Sequence, residues 1–112
     1  MNKNLKIAEE IEKFGEKYDI MGDTAIYFNG IRWNYNTSQD NKKKIEKGHK
    51  ASDYFDYADD KSVCMSFEGG FYDALNGHSG WNISEEFIKM LDNKFNAYFE
   101  LGNAWNLTIY KK

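Results

Sequence analysis

The sequence contains no proline and only one cysteine, Cys64. Without proline, its turns must be built from Gly, Asn and Asp, which suit turns because they tolerate positive φ angles or bond their own backbone. A single thiol cannot close a disulfide within the chain, and this usage is typical of a reducing compartment. We therefore expect a cytoplasmic protein whose fold depends on its core.

Long apolar runs are also missing. No stretch approaches the roughly 20 apolar residues that a membrane-spanning helix needs. Residues 1–10 are charged and lack the apolar centre of a signal peptide. We expect neither export nor a membrane partner.

Arginine is nearly absent, since Arg32 is the only one in the chain. Arginine is the usual residue for bidentate contacts to bases and phosphates, and nucleic-acid-binding domains normally carry a basic face. The formal net charge of -3 has the opposite sign. The sequence therefore predicts no direct contact with nucleic acid.

Aromatic residues, in contrast, make up 17% of the 112 residues, and 41% of the chain is hydrophobic. A chain of this length can bury enough surface to fold without disulfides or metal. Aromatic side chains add large buried areas to such a core. With no linker or internal repeat to divide it, the sequence predicts a single domain over residues 1–112.

The clearest local signal is the Asn29-Gly30 pair within residues 24–36. Asn-Gly favours the positive φ angles of a type I′ turn, and apolar residues alternate on both sides of it, so we predict a β-hairpin. Tyr27 and Arg32 would lie opposite each other as a cation–π pair. The core face would carry Ile26, Phe28, Ile31, Trp33 and Tyr35, and the opposite face would offer Tyr27, Arg32 and Asn34 to a partner.

Apolar periodicity predicts the other main elements. Helical spacing indicates two main helices, at 4–18 and 85–97, and alternation indicates a strand at 62–68 and C-terminal strands within 98–110. Hairpins combined with two helices predict an α+β fold. We expect an antiparallel sheet of about four or five strands, with the two main helices packed on one face.

The remaining stretches are less regular. Residues 37–50 are polar and rich in lysine, which predicts a solvated loop or a short frayed helix. Short helical turns are predicted within 51–60, where Ser52 is a suitable cap, and at 71–76.

The order helix, strand, strand, strand, helix resembles the topology of the double-stranded RNA-binding domain. That fold grips phosphates with basic residues at the start of its last helix. The matching position here is Ser84-Glu85-Glu86, which is acidic. The resemblance therefore concerns topology alone and implies no RNA-binding residue in this chain.

Cys64, Asp73 and His78 supply the residue types of a thiol hydrolase. Cys64 lies within a predicted strand, away from any helix N-terminus or Gly-rich elbow that would activate its thiol. His49 is far from His78 in sequence, and the aspartates of 52–60 lack the pattern of a calcium loop. We predict no catalytic residue, no metal site and no cofactor, and keep an enzyme or ligand site near Cys64, Asp73 and His78 as an alternative.

Residues 52–60 interleave aspartates with aromatic side chains. Carboxylates beside exposed aromatics can imitate phosphates beside bases, and tyrosines are good interface anchors. The alternative is a short loop in which Tyr54 or Phe55 fills the core while the aspartates stay in water. The predicted partner-binding residues are Asp53, Tyr54, Asp56, Tyr57, Asp59, Asp60, Glu68, Tyr72 and Asp73.

Small size, acidity and the lack of a chemical motif together predict a non-enzymatic module that binds a protein partner. The specific hypothesis is an accessory protein of a phage or other mobile element. It would inhibit a host nucleic-acid-processing or defence enzyme by masking a basic surface, in the manner of anti-CRISPR proteins and DNA mimics. A further alternative is a homodimeric structural domain, and the choice between monomer and homodimer stays open.

Overall fold

The computed structural model describes residues 3–35, 43–56, 58–78 and 80–112. In chain order its elements are α1 (Lys3–Lys17), β1 (Thr24–Phe28), β2 (Ile31–Asn34), β3 (Lys44–Lys47), a 3-10 helix (Ala51–Asp53), β4 (Cys64–Phe67), α2 (Gly70–Leu75), α3 (Asn82–Phe95), β5 (Ala97–Asn103) and β6 (Asn106–Lys111). The strands form one antiparallel sheet in the order β3-β2-β1-β4-β6-β5. The α+β prediction is confirmed, and within the described ranges the sheet has six strands accompanied by three α-helices.

The hairpin forms around Asn29 and Gly30 as predicted. Both residues have positive φ angles, 53° and 75°, as a type I′ turn requires. Phe28 lies opposite Ile31, so β1 and β2 pair in the predicted register. The cation–π pair is also confirmed, with the Arg32 guanidinium carbon 5.6 Å from the centre of the Tyr27 ring.

Strand β3 corrects the prediction of a loop or frayed helix for 37–50, of which residues 37–42 lie outside the described residues. Its Ile45 lies opposite Trp33 of β2. The Arg32 guanidinium joins the two strands through an ion pair with Glu46, at 2.8 Å between Nη1 and Oε1. The prediction was wrong because the stability of a strand comes from cross-strand partners, which the local lysine content does not reveal.

The end of α3 differs from the predicted helix at 85–97. Asn96 adopts a left-handed conformation with φ 51°, and its N–H donates to the carbonyl groups of Leu91 and Asp92. A left-handed residue at this position ends a helix, so the chain enters β5 at Ala97. The other boundaries move slightly: the predicted 4–18 is Lys3–Lys17, 62–68 is Cys64–Phe67, 71–76 is Gly70–Leu75, and the strands within 98–110 are Ala97–Asn103 and Asn106–Lys111.

The two faces of the sheet contribute to two separate cores. On the first face, residues of α1, α2 and α3 join strand residues in the main core, whose fully buried members include Ile11, Ile26, Met65, Phe67, Phe71, Phe87, Leu91 and Leu107. On the second face, a smaller core unites Ala25, Tyr27, Ala51, Phe55 and Cys64, with Ala58 and Trp105 packed against it. Successive residues of β1 alternate between the two cores, so this strand is buried along its whole length.

Candidate functional site

An irregular stretch of the chain, residues 48–61, lies over the second face, and we call it the covering segment. It contains most of the predicted partner-binding residues; Tyr57 lies outside the described residues. Gly48 enters the segment with a φ angle of 78° and donates its N–H to the Gly30 carbonyl at 2.8 Å. The predicted short helical turn is the 3-10 helix Ala51–Asp53, which contains Ser52 instead of starting after it.

Phe55 anchors the covering segment to the sheet. Its side chain is buried, and its ring meets Tyr27 edge-on at 5.6 Å and Trp105 at 5.8 Å. Tyr54, the other candidate for filling the core, is 40% exposed. The interpretation of 52–60 as a loop that fills the core is therefore confirmed for Phe55, whereas Tyr54 faces outwards.

Three aspartates of the covering segment, Asp53, Asp59 and Asp60, accept hydrogen bonds from nearby groups. Asp60 accepts from the Ser52 hydroxyl at 2.6 Å and from the Ser52 N–H at 3.1 Å. These two hydrogen bonds, the hydroxyl first, lower the pKa of the Asp60 carboxyl. Asp59 accepts from the Lys61 N–H at 3.0 Å, and Asp53 from the Lys50 N–H at 3.2 Å.

These hydrogen bonds leave the carboxylates at the surface. Asp53, Asp56 and Asp60 are exposed and Asp59 is half-buried. The segment carries these four aspartates against Lys50 and Lys61. The covering segment is therefore a negatively charged surface on which three of the four carboxylates accept hydrogen bonds from the segment itself.

The opposite face of the hairpin is not the open surface that the sequence predicted. Tyr27 is 2% exposed beneath the covering segment, which corrects the prediction that it faces a partner. Arg32 lies with its guanidinium carbon 4.7 Å from the centre of the Tyr54 ring and forms the ion pair with Glu46. His49 also holds Tyr54, because its Nδ1 is hydrogen-bonded to the Tyr54 hydroxyl. The two rings stack, with 5.9 Å between their centres.

The structure does not gather all the predicted binding residues into one place. Tyr72 and Asp73 belong to α2, whose buried residues join the main core of the first face, and Glu68 follows the end of β4. Asp73 Oδ1 is 3.2 Å from His78 Nδ1, and the Tyr72 ring meets that imidazole edge-on at 5.3 Å. Tyr72 and Asp73 therefore form a group with His78, on the other face of the sheet from the covering segment.

The alternative site near Cys64, Asp73 and His78 is likewise divided between two layers. Cys64 is completely buried in the second core, where its thiol donates to the Asp59 carbonyl at 3.6 Å. Burial raises the pKa of this thiol, which keeps it in the unreactive protonated form. Asp73 and His78 are both exposed and pair with each other on the α2 side.

Sequence analysis missed several large apolar side chains that are exposed. They include Trp81 before α3, at 58% exposed, and Tyr98 and Leu101 on β5. The β5 residues were assigned to a strand, but sequence alternation does not show whether a strand lies at the edge of its sheet.

Two further features concern the residues that the structure describes. None of the helices has the length and apolar character needed to cross a bilayer. Within the same residues, no group of three or more His, Cys, Asp or Glu side chains is placed to hold a metal ion.

Comparisons of this chain with protein-family models, with curated proteins and with solved structures gave no match.

Proposed function

We propose that this protein is a small, non-enzymatic binding module that captures a protein partner through the covering segment. One observation carries the proposal: Asp53, Asp59 and Asp60 are held at the surface of the segment by hydrogen bonds. From below, the buried Ala51 and Phe55 anchor the segment to the sheet. Groups that are already ordered lose less conformational entropy on binding. A fixed set of carboxylates is therefore well suited to recognition.

The partner proposed for this surface is a protein with a basic patch. Opposite charges across an interface speed association and suppress binding to wrong partners. Tyr54, which follows Asp53 in the segment, is 40% exposed, and an exposed ring next to a carboxylate suits a channel built for phosphates and bases. The finer proposal is an accessory protein of a phage or other mobile element. In the cytoplasm it would inhibit a host nucleic-acid-processing or defence enzyme, as anti-CRISPR proteins and DNA mimics do.

The test removes the negative charges of three aspartates in the covering segment by substitutions of nearly the same shape. In the variant D56N/D59N/D60N, the amide oxygens of the asparagines at 59 and 60 can still accept from the backbone N–H groups. Their amide N–H groups can donate to the hydroxyl oxygens of Ser62 and Ser52, whose hydroxyl groups donate to the aspartates in the wild type. We expect affinity capture from the source cell to recover a basic, nucleic-acid-binding protein with the wild type and to lose it with this variant. Added salt should weaken the wild-type capture, because it screens exposed charges.

The matched control removes the same number of charges from the helical layer. E9Q/E85Q/E86Q alters exposed residues of α1 and α3. This variant should capture the partner as well as the wild type does. Equal capture by D56N/D59N/D60N would show that the acidic surface is not the interface.

A further inference from the structure

An open cleft lies on the second face of the sheet, beside the covering segment. Its volume is about 520 Å³. Its lining comes from the covering segment and from β5 and β6, and consists of Ala58, Glu100, Leu101, Gly102, Thr108 and Tyr110. Since Ala58 lies between Asp56 and Asp59 in the sequence, the cleft adjoins the acidic surface of the covering segment.

The register of β5 and β6 explains which side chains reach this cleft. Ile109 belongs to the main core of the first face, and Phe99 packs against it. Side chains alternate along a strand, so the next residues, Glu100 and Tyr110, project from the second face. Glu100 lies opposite Thr108, which makes Tyr110 its diagonal neighbour on β6. One long side chain can contact both members of such a diagonal pair.

Glu100 and Tyr110 together offer a carboxylate beside an aromatic ring. Glu100 is exposed, and within the described ranges no lysine, arginine or histidine forms an ion pair with it. Tyr110 is half-buried, with its ring centre 5.7 Å from that of Tyr98. A guanidinium suits this combination, because it bonds a carboxylate through a planar fork and stacks on an aromatic face.

The opposite edge of the same face already holds a guanidinium in this way. Arg32 lies opposite Tyr27 on β1 and opposite Glu46 on β3. Its Nη1 is 2.8 Å from Glu46 Oε1, and its guanidinium carbon is 4.7 Å from the centre of the Tyr54 ring. Arg32 is the only arginine in the chain and is engaged there, so a guanidinium at Glu100 would come from a different protein.

We propose that the cleft beside Ala58 receives an arginine side chain of the partner protein, with its guanidinium bonded to Glu100 and lying across the Tyr110 ring. The inference rests on the proposed function, since it extends the acidic surface and names the residue type that this surface selects. The aspartates of the covering segment attract any basic patch. Glu100 and Tyr110 distinguish arginine from lysine, because an ammonium group lacks the planar fork.

Titration calorimetry of the full chain tests this selectivity with oligoarginine and oligolysine peptides of equal length, at low ionic strength. The wild type should bind oligoarginine more tightly than oligolysine. Y110L removes the ring without changing the charge, and should lower this preference about threefold. E100Q should also lower the preference about threefold, because the carboxylate that pairs with the planar fork is lost.

Matched controls lie on the helical side of the sheet. E85Q removes one exposed charge from α3, and Y72L removes one half-buried ring from α2. Both variants should keep the wild-type preference for oligoarginine, and circular dichroism melts test whether every variant keeps its fold. A wild type that does not prefer oligoarginine would overturn the inference. A preference that survives both E100Q and Y110L in folded protein would also overturn it.

The variant D56N/D59N/D60N distinguishes failure of this inference from failure of the proposed function. It should weaken the binding of both peptides alike and leave the preference for arginine intact. If it also captures the cellular partner as the wild type does, the proposed function fails, whatever the peptides show at Glu100. If it loses the partner while E100Q and Y110L keep it at full affinity, the proposed function stands and the cleft lies outside the interface.

Discussion

The two faces of the sheet are covered by different kinds of structure. The first face lies under helices whose regular apolar stripes build the main core. The second face lies under the covering segment, which is irregular and is held by a few apolar anchors and by hydrogen bonds of its aspartates. The difference shows that the two faces of one sheet can be covered by layers of unlike regularity and unlike charge. The helical layer supplies most of the buried apolar surface, while the covering segment supplies fixed charges that face outwards.

The largest expected effect on the free energy of unfolding is that of F87A, which truncates a buried ring in the main core of the first face. Phe87 is completely buried and contacts the rings of Phe14, Phe71 and Phe99 at 5.1, 5.6 and 5.6 Å. Truncation leaves a cavity in the main core and should lower the free energy of unfolding by about 3–5 kcal/mol. Urea unfolding measures this change.

Ile88 provides the matched control on the same helix. Its side chain is 47% exposed, so I88A should change the free energy of unfolding by about 0.5 kcal/mol at most. Equal losses for F87A and I88A would contradict the assignment of the helical layer as the main source of stability.

F55A removes the ring that anchors the covering segment to the second face, and its effect on stability should be smaller and more local. Loss of this anchor should lower the free energy of unfolding by about 2–3 kcal/mol, since an irregular segment can collapse into the space. The buried Cys64 beneath the segment reports local opening. Iodoacetamide should modify it slowly in the wild type near neutral pH and at least about tenfold faster in F55A.

The rate at which iodoacetamide modifies Cys64 in F87A serves as the comparison for F55A. If the rates in the two variants differ only as their free energies of unfolding predict, Cys64 is exposed by global unfolding and the covering segment does not open on its own. Rapid modification of the native wild type would contradict the conclusion that the Cys64 thiol is buried and unreactive. It would favour the alternative of an enzyme site near Cys64.

The smallest expected effect comes from S52A, which removes the hydroxyl donor to Asp60. Because Asp60 is exposed, the loss at about pH 7 should be only about 0.5 kcal/mol in the free energy of unfolding. The folded state lowers the pKa of Asp60 below its ordinary 3.8, so the stabilisation is present above that value and disappears as pH falls through the folded pKa. S52A and wild type should therefore converge in strong acid.

S52T keeps the hydroxyl and provides the control for this measurement. It should follow the wild-type pH dependence in urea unfolding. A difference between S52A and wild type that persists unchanged in strong acid would show that the hydrogen bond to Asp60 does not cause it.

The two competing interpretations of residues 52–60 prove to be compatible in the structure. A local pattern indicates that aspartates and aromatics alternate, but it does not show which ring turns inwards. Phe55 is buried and Tyr54 is exposed because Phe55 packs between Tyr27 and Trp105, whereas Tyr54 lies at the outer edge of that cluster. The acidic surface was therefore predictable, while the residue that anchors it was not.

Three-dimensional proximity was the harder quantity to predict. Cys64 and Asp73 are near each other in sequence, yet the chain passes from the second core to the helical layer between them. Strand β3 was missed for a related reason, since Glu46 is stabilised by Arg32, which precedes it by 14 residues. Both outcomes depend on contacts between distant segments.

By itself, the sequence determined the α+β class, the hairpin at Asn29-Gly30 and its register. These features follow from the positive φ angles that this pair tolerates and from the alternation of side chains along a strand. The packing of distant segments places the covering segment on the second face, buries Tyr27 beneath it and sets β5 at the end of the strand order. Burial and edge position depend on which segments pack together, and local periodicity does not encode that choice.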